Sequence, residues 1–262
     1  MDKIQEYWNE RASDAKGSPN ATTNDIFLRQ LEGAAVVGKL RSYHLPRGAT
    51  VLDIGCGDGR TTLELAKHFP GIRFHGVDFS SSMIEAALSN LSAESELRDR
   101  VKFSSGDARN LGDAVGNEKY NAIVTNRCLI NIPVKEGQYL ALRQIADHLV
   151  DAGVFIGSEN FTGGQRELNR LRLSMNLPEI PVRWHNLYFD EQVFLEECKN
   201  LFASTALENF SSSYYYATRI IYSALCKIED AQLDYGHPIH RVALQLPSHG
   251  DFSPIKLIVA IR

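Results

Sequence analysis

The segment Val51-Leu52-Asp53-Ile54-Gly55-Cys56-Gly57-Asp58-Gly59 constrains the fold more than any other. A short apolar run over 50–55 is closed by glycines at alternate positions, and a helix-patterned stretch over 61–68 follows at once. Such a run reads as a strand buried on both faces. Glycines just beyond it let the backbone turn tightly and lie against a ligand at the start of a helix. Further strands are predicted at 73–78, 101–107, 120–126 and 153–160, and helices at 80–95 and 135–149. Ser80 or Ser81 supplies the cap of the first of these helices. Strands alternating with helices at short intervals require a parallel sheet covered on both faces.

On either side the texture differs. Residues 3–12 read as a short helix carrying Tyr7 and Trp8, Ser18-Pro19-Asn20 as a loop, and 25–43 as a helix with apolar residues at helical spacing. Beyond Phe161 the alternation breaks. A helix over 162–176 leads into a Pro-bounded aromatic stretch, 178–189, and a helix capped by Asp190 follows. The segment 204–218, with its Tyr214-Tyr215-Tyr216 run, reads as a sixth strand, and 255–262 as the last. The expected division is an N-terminal helical cap (1–48), a core (49–160), a lid insert (161–189) and a C-terminal part of the core (190–262) with its own insert at 217–253.

Composition narrows the class. With 262 residues, 44% hydrophobic and 23% charged, the chain has ample material for a core and is neither disordered nor fibrous. The net charge of −4 gives no general attraction to nucleic acid or anionic membrane. No window approaches a membrane span, and residues 1–12 lack the apolar core of a signal peptide. Four cysteines without a C-x-x-C pair fit reduced thiols in a cytoplasmic protein. The eight histidines lack ligand spacing, so no metal is expected.

The turn is G-x-G-x-G, not the dinucleotide G-x-G-x-x-G. Arg60 stands where the third glycine of that fingerprint would pack helix on strand. Asp53 brings a carboxylate toward the turn, which would repel a pyrophosphate and attract a cationic ligand. Both features disfavour the alternative of an NAD-dependent oxidoreductase. Asp78 ends the second strand 21 residues after Gly57, near the ~20 expected of an acid that accepts from ribose hydroxyls. Asp107 and Ala108 end the third strand, where a carboxylate and a backbone N–H can read adenine.

VLDIGCGDG, VDFS, GDARNL and NAIVTNRCLINIP follow one another in an order and spacing that resemble the class I S-adenosylmethionine-dependent methyltransferases, small-molecule branch. The resemblance covers about residues 49–160 and the final strand. It implies a Rossmann-like, seven-stranded, mostly parallel sheet with the last strand antiparallel. It implies S-adenosyl-L-methionine as cofactor, cradled by Asp53, Gly55, Cys56, Gly57 and Asn126, with Asp78 on the ribose. Asp107 and Ala108 would meet the adenine, Phe79 and Met83 would sandwich it, and Tyr7, Trp8 and Arg11 would close over it.

The expected reaction is methyl transfer to a small, anionic metabolite, favouring oxygen, with a sugar or polysaccharide-related acceptor. A cofactor-binding protein without catalysis is the other alternative. The N-P-P-Y pattern of nucleic-acid amino methyltransferases is absent, since Asn126-Arg127-Cys128-Leu129 stands there. Arg127, Arg172 and Arg183 are candidates for the anion, with Arg170 beside them; Arg127 could equally pair with an internal acid. Asn131 stands where many relatives carry a histidine. Glu159 either binds substrate or caps the next helix. His185 is the candidate general base, or a surface-loop histidine.

Overall fold

Five parallel strands form the centre of one sheet: β1 (Thr50–Ile54), β2 (Arg73–Asp78), β3 (Val101–Ser105), β4 (Tyr120–Asn126) and β5 (Leu149–Asn160). The remaining two are β6 (Ser204–Glu208) and β7 (Ile255–Ile261), and the order across the sheet is β3-β2-β1-β4-β5-β7-β6. β7 runs antiparallel to both neighbours. This computed structural model describes residues 3–15 and 23–262; the expected loop at Ser18-Pro19-Asn20 lies outside them. The strand order reverses between β1 and β4, so their carboxyl ends open the crevice where open α/β sheets bind ligands.

The helices are α1 (Lys3–Ala15), α2 (Ile26–Ser42), α3 (Arg60–His68), α4 (Ser81–Ser92), α5 (Gly112–Val115) and α6 (Lys135–His148). They continue as α7 (Thr162–Ser174), α8 (Glu191–Cys198), α9 (Ser212–Tyr215), α10 (Tyr222–Ile228) and α11 (Pro238–Ala243). Alternation along the strands divides the core. Leu52, Ile123, Phe155 and Ile258 face α6 and α8, packing on Leu142, Ile145 and Phe194. Val51, Val124, Ile156 and Val259 face α2 and α3, packing on Val36, Leu40 and Leu63. Truncating a fully buried phenylalanine such as Phe155 costs about 3–5 kcal/mol.

The segment after β6 is not the strand that its aromatic content suggests. β6 stops at Glu208, and helix runs from Ser212 to Ile228, with Tyr216–Ile221 wound as a π-helix between α9 and α10. Tyr214 and Tyr215 are buried against Leu28, Leu168 and Ile255, while Tyr216 is exposed. Burial on a helix outweighs the β preference of tyrosine, which expresses packing rather than backbone preference.

The insert begins and ends at one point. Phe161 bridges Phe189, Thr162 N–H donates to the Phe189 carbonyl (2.8 Å), and Phe189 N–H donates to that of Asn160 (3.0 Å). Phe161, Phe189 and Phe194 pack there, tilted and edge-to-face, and fix the insert to the sheet edge.

Candidate active site

The glycine turn is bound to the second strand. Gly55 and Cys56 N–H both donate to the Val77 carbonyl, at 2.7 and 3.1 Å. Gly57 N–H donates to Asp78 Oδ2 (2.9 Å) and Ser80 N–H to Asp78 Oδ1 (2.9 Å), so one carboxylate ties the turn to the start of α4. Gly55 has φ +73°, and a Cβ there would lie 2.4 Å from Cys128 Sγ. Asp53 accepts from Thr62 Oγ1 at 2.5 Å. Burial pushes the carboxyls of both Asp53 and Asp78 up to about 6, against the hydrogen bonds they accept. Arg60 is turned back onto Asp58 (3.0 Å).

α1 lies over this turn. Gln5 Nε2 donates to the Phe79 carbonyl (2.8 Å), and Ser80 Oγ, which caps α4 by accepting from Met83 N–H, donates to Asn9 Oδ1 (2.6 Å). Tyr7 stacks on His185 with ring centroids 4.6 Å apart, and Trp8 meets the same ring edge-on at 5.8 Å. His185 is therefore no surface residue: it is buried, and its Nδ1 bonds nothing in the structure. Burial, with the charges of Arg183 and Arg11, holds its pKa below the usual imidazole value and keeps it neutral at neutral pH. Phe79 and the buried Met83 line the cleft beside the turn. Asp107, Ala108 and Phe79 line an adjoining hollow. Asp107 is engaged by Arg109 through its backbone N–H (2.8 Å) and its guanidinium (2.5 Å).

Beyond β4 the chain turns at Arg127, which has φ +49°, an uncommon backbone for a residue with a side chain. Its N–H donates to the Ser158 carbonyl (2.7 Å), and its Nε lies 3.0 Å from Oε1 of the fully buried Glu32. Both readings of Arg127 meet here, since it pairs with an internal acid and also lines the cleft. Glu159 does not face the cleft. It accepts from the N–H groups of Cys128 (3.1 Å), Leu129 (3.1 Å) and Ile130 (3.3 Å), and burial pushes its carboxyl up to about 7. It thus shapes the loop that carries Asn131. Asn131 Nδ2 donates to the Arg127 carbonyl (2.6 Å), while its Oδ1 is buried without a partner, as is Asn126 Oδ1.

The structure separates the arginines. Arg183 lines the cleft. Arg172 does not: it is buried between the insert and the helix over 212–228, donating to the Pro178 (2.8 Å) and Arg219 carbonyls and to Ser223 Oγ (3.3 Å). Arg170 is exposed on the other side of α7, paired with Glu167. Two arginines outside the expected set take their place, Arg29 of α2 and Arg219 of the π-helical stretch. Arg219 pairs with Asp25 (2.5 Å), which also caps α2 and accepts from Tyr214 OH (2.7 Å). Burial alone would raise the Asp25 carboxyl, but Arg219 holds it below the usual range.

The resulting cleft, about 260 Å³, is polarised. Asp53, Asp58 and Asp78 line the glycine end. Arg127, Arg183 and Arg219 line the other, against the carboxylates of Asp25 and Glu32, and Arg29 lies between the two ends, in the field of Asp58 as well as of Glu32. Among the described residues, no cluster of His, Cys, Asp or Glu could hold a metal ion, and no helix is long and apolar enough to cross a membrane.

Residues 51–153 match the family model described as "Methyltransferase domain". The match places a methyltransferase domain of the class I, S-adenosylmethionine-dependent kind over these residues. It is 36% identical over 89 residues to phosphoethanolamine N-methyltransferase 2 of Caenorhabditis elegans, covering 34% of this chain and 19% of that one. It is 26% identical over 158 residues to carboxy-S-adenosyl-L-methionine synthase of Pasteurella multocida, covering 58% and 63%. The chain thus spans less than two thirds of the length of these curated relatives. Magnesium protoporphyrin IX methyltransferase from Synechocystis, solved with bound SAH, shares the fold over all of both chains, with a TM-score of 0.63 at 18% identity.

Several residues of the cleft escaped the sequence reading. Glu32 carried a signal: it falls in the buried stripe Leu28-Glu32-Val36-Leu40 of α2, and an acid in an apolar stripe implies a buried cation as partner. Tyr215 carried none while its segment was read as a strand, and Arg219 fell in the expected insert at 217–253. Tyr188 and Tyr235 lie in loops whose path no local pattern specifies.

Proposed function

We propose that the protein transfers a methyl group from S-adenosylmethionine to a small anionic acceptor, oxygen being the favoured acceptor atom. The observation that carries this reading is the polarity of the cleft, acidic at the glycine turn and basic beyond Arg127. The acidic end suits a ligand with an ammonium and a sulfonium and disfavours a pyrophosphate. Asp78 keeps lone pairs for ribose hydroxyls after holding Gly57 and Ser80. The unpartnered Asn126 Oδ1 supplies an acceptor, and Phe79 and Met83 an apolar face, so the residues present fit this cofactor. When bound, the cofactor supplies an electrophilic methyl on a positively charged sulfur.

The protein's part is alignment and exclusion of water. Tyr7 and Trp8 cover the cleft through His185. Arg127, Arg183 and Arg219 draw and orient the anion, with Arg127 held in place by Glu32. A carboxylate or phosphate oxygen needs no base. A hydroxyl does, and the neutral His185, with a free Nδ1 at the cleft wall, can hold its proton.

Mass spectrometry of metabolite extracts incubated with purified protein and S-adenosylmethionine tests the reading. Acidic compounds should gain a methyl as S-adenosylhomocysteine accumulates. Arg127→Met should raise the acceptor KM or abolish turnover with cofactor affinity unchanged. Equal turnover of a neutral or cationic acceptor by both proteins refutes it.

A further inference from the structure

The cleft beyond Arg127 is walled by rings and aliphatic side chains, with the amides of Asn160 and Gln165 among them. Tyr188 comes from the insert, Tyr215 from α9 and Tyr235 from the loop before α11. Leu28, Leu168 and Ile255 line the same end and pack with Tyr215 in one cluster. The π-helical stretch Tyr216–Ile221 adds a second observation, since π turns are rare and concentrate at functional sites. It carries Arg219, whose guanidinium lies over the rings of Tyr215 (5.6 Å) and Tyr235 (5.1 Å) while Asp25 holds one edge. Arg127 is engaged by Glu32 through Nε and keeps 26% of its side chain exposed, in the cleft. The outer edge of such a guanidinium fits a carboxylate with two parallel hydrogen bonds.

We propose that this end is the acceptor subsite and that it takes an acid with a flat, apolar body, the carboxylate on Arg127 and the body among Tyr188, Tyr215 and Leu168. The proposal rests on the anionic-acceptor reading above and narrows it. A polyhydroxylated body such as a sugar acid would need a partner for each hydroxyl, and each one buried without a partner is costly. Three tyrosine rings and three aliphatic side chains meet a ring or a branched apolar chain far better than they meet a row of hydroxyls. Rings also pack on tyrosine in offset or edge-on arrangements that add to simple burial.

The test is calorimetric titration of the full chain, saturated with S-adenosylhomocysteine, with benzoate, benzamide and glucuronate. Benzoate should bind at millimolar concentrations or below, about tenfold or more tightly than either of the others. Tyr215→Leu, checked for folding by thermal unfolding, should lose the preference for benzoate over glucuronate; if that variant does not fold, the wild-type series alone decides. Glucuronate binding as tightly as benzoate overturns this proposal and leaves the anionic reading standing. Benzamide binding as tightly as benzoate overturns both. Absence of benzoate binding overturns this proposal whatever the other two do.

Discussion

Replacing Asp78 by Asn removes one charge and one acceptor oxygen from the residue that anchors the glycine turn. In the native protein Oδ2 accepts from Gly57 N–H and Oδ1 from Ser80 N–H, each at 2.9 Å. A carboxylate offers about four lone-pair positions, so two remain for a pair of hydroxyls. The amide has one oxygen, and its NH₂ must face either Gly57 or Ser80, donor to donor. One anchor of the turn and at least one ligand contact are lost. A hydrogen bond to a charged group contributes about 1.5–3 kcal/mol, equivalent to about 10- to 150-fold in affinity. The Kd for S-adenosylhomocysteine, measured by calorimetry, should rise by that factor. The pH dependence supplies a second reading. Burial puts the Asp78 carboxyl at about 6, and it must be ionised to accept from two hydroxyls, so native affinity should fall as the pH drops below that value. The variant should show a shallower fall, the remainder belonging to Asp53, which burial also pushes to about 6. An Asn variant with native affinity, or with an unchanged pH profile, refutes the reasoning.

Asp53, Asp78 and Glu159 all have carboxyl pKa values raised above their unfolded values by burial, to about 6, 6 and 7. Their stabilising contribution is complete below the ordinary carboxylate range and is lost as the pH rises through about 6–7. A ligand that interacts with the ionised forms should therefore raise Tm more at alkaline than at acidic pH; fluorimetry showing the reverse contradicts this. Glu32→Gln leaves Arg127 without its buried counter-charge and should destabilise by about 3–5 kcal/mol, while Glu32→Leu combined with Arg127→Met should recover most of that. Urea unfolding measures both, and a Glu32→Gln protein as stable as the native one rejects the pair. Arg172→Met should cost about 1–3 kcal/mol through orphaned carbonyls yet leave the acceptor KM unchanged, because the side chain is bonded between the insert and α10 and not in the cleft. A raised KM without loss of stability would return Arg172 to the cleft.

The central sheet was legible because two periodicities alternate cleanly there. The strands at 73–78 and 120–126 match their predicted ranges, and Ser80 caps α4 as its position suggested. The sixth strand was drawn too long, 204–218 against 204–208, because a run of three tyrosines has the composition of a strand, and only the cluster of Leu28, Leu168 and Ile255 makes a helix the better burial for two of them. That error hid Tyr215. The arginines of α7 show a different limit. Positions 170 and 172 must face different sides of a helix, but the side that faces the cleft depends on where the chain returns at Pro178. Glu32 was visible as a lone acid in an apolar stripe; its partner Arg127 lies 95 residues away and only the fold brings them together.

The contact of Tyr7 and Trp8 with the insert has a kinetic consequence. α1 and the insert are joined over the cleft by three ring contacts across the seam: Tyr7 with His185, Tyr7 with Trp184 and Trp8 with His185. Such contacts add about 0.5–1.5 kcal/mol each to the burial of the rings, about 1.5–4.5 kcal/mol over the three. No strand or core helix has to unfold for the seam to open, so the protein carries a seal that can part without loss of its fold. Passage of ligands in and out is then governed by how often these three contacts part, a rate set by Tyr7, Trp8, Trp184 and His185 and separate from the arginines that choose the ligand.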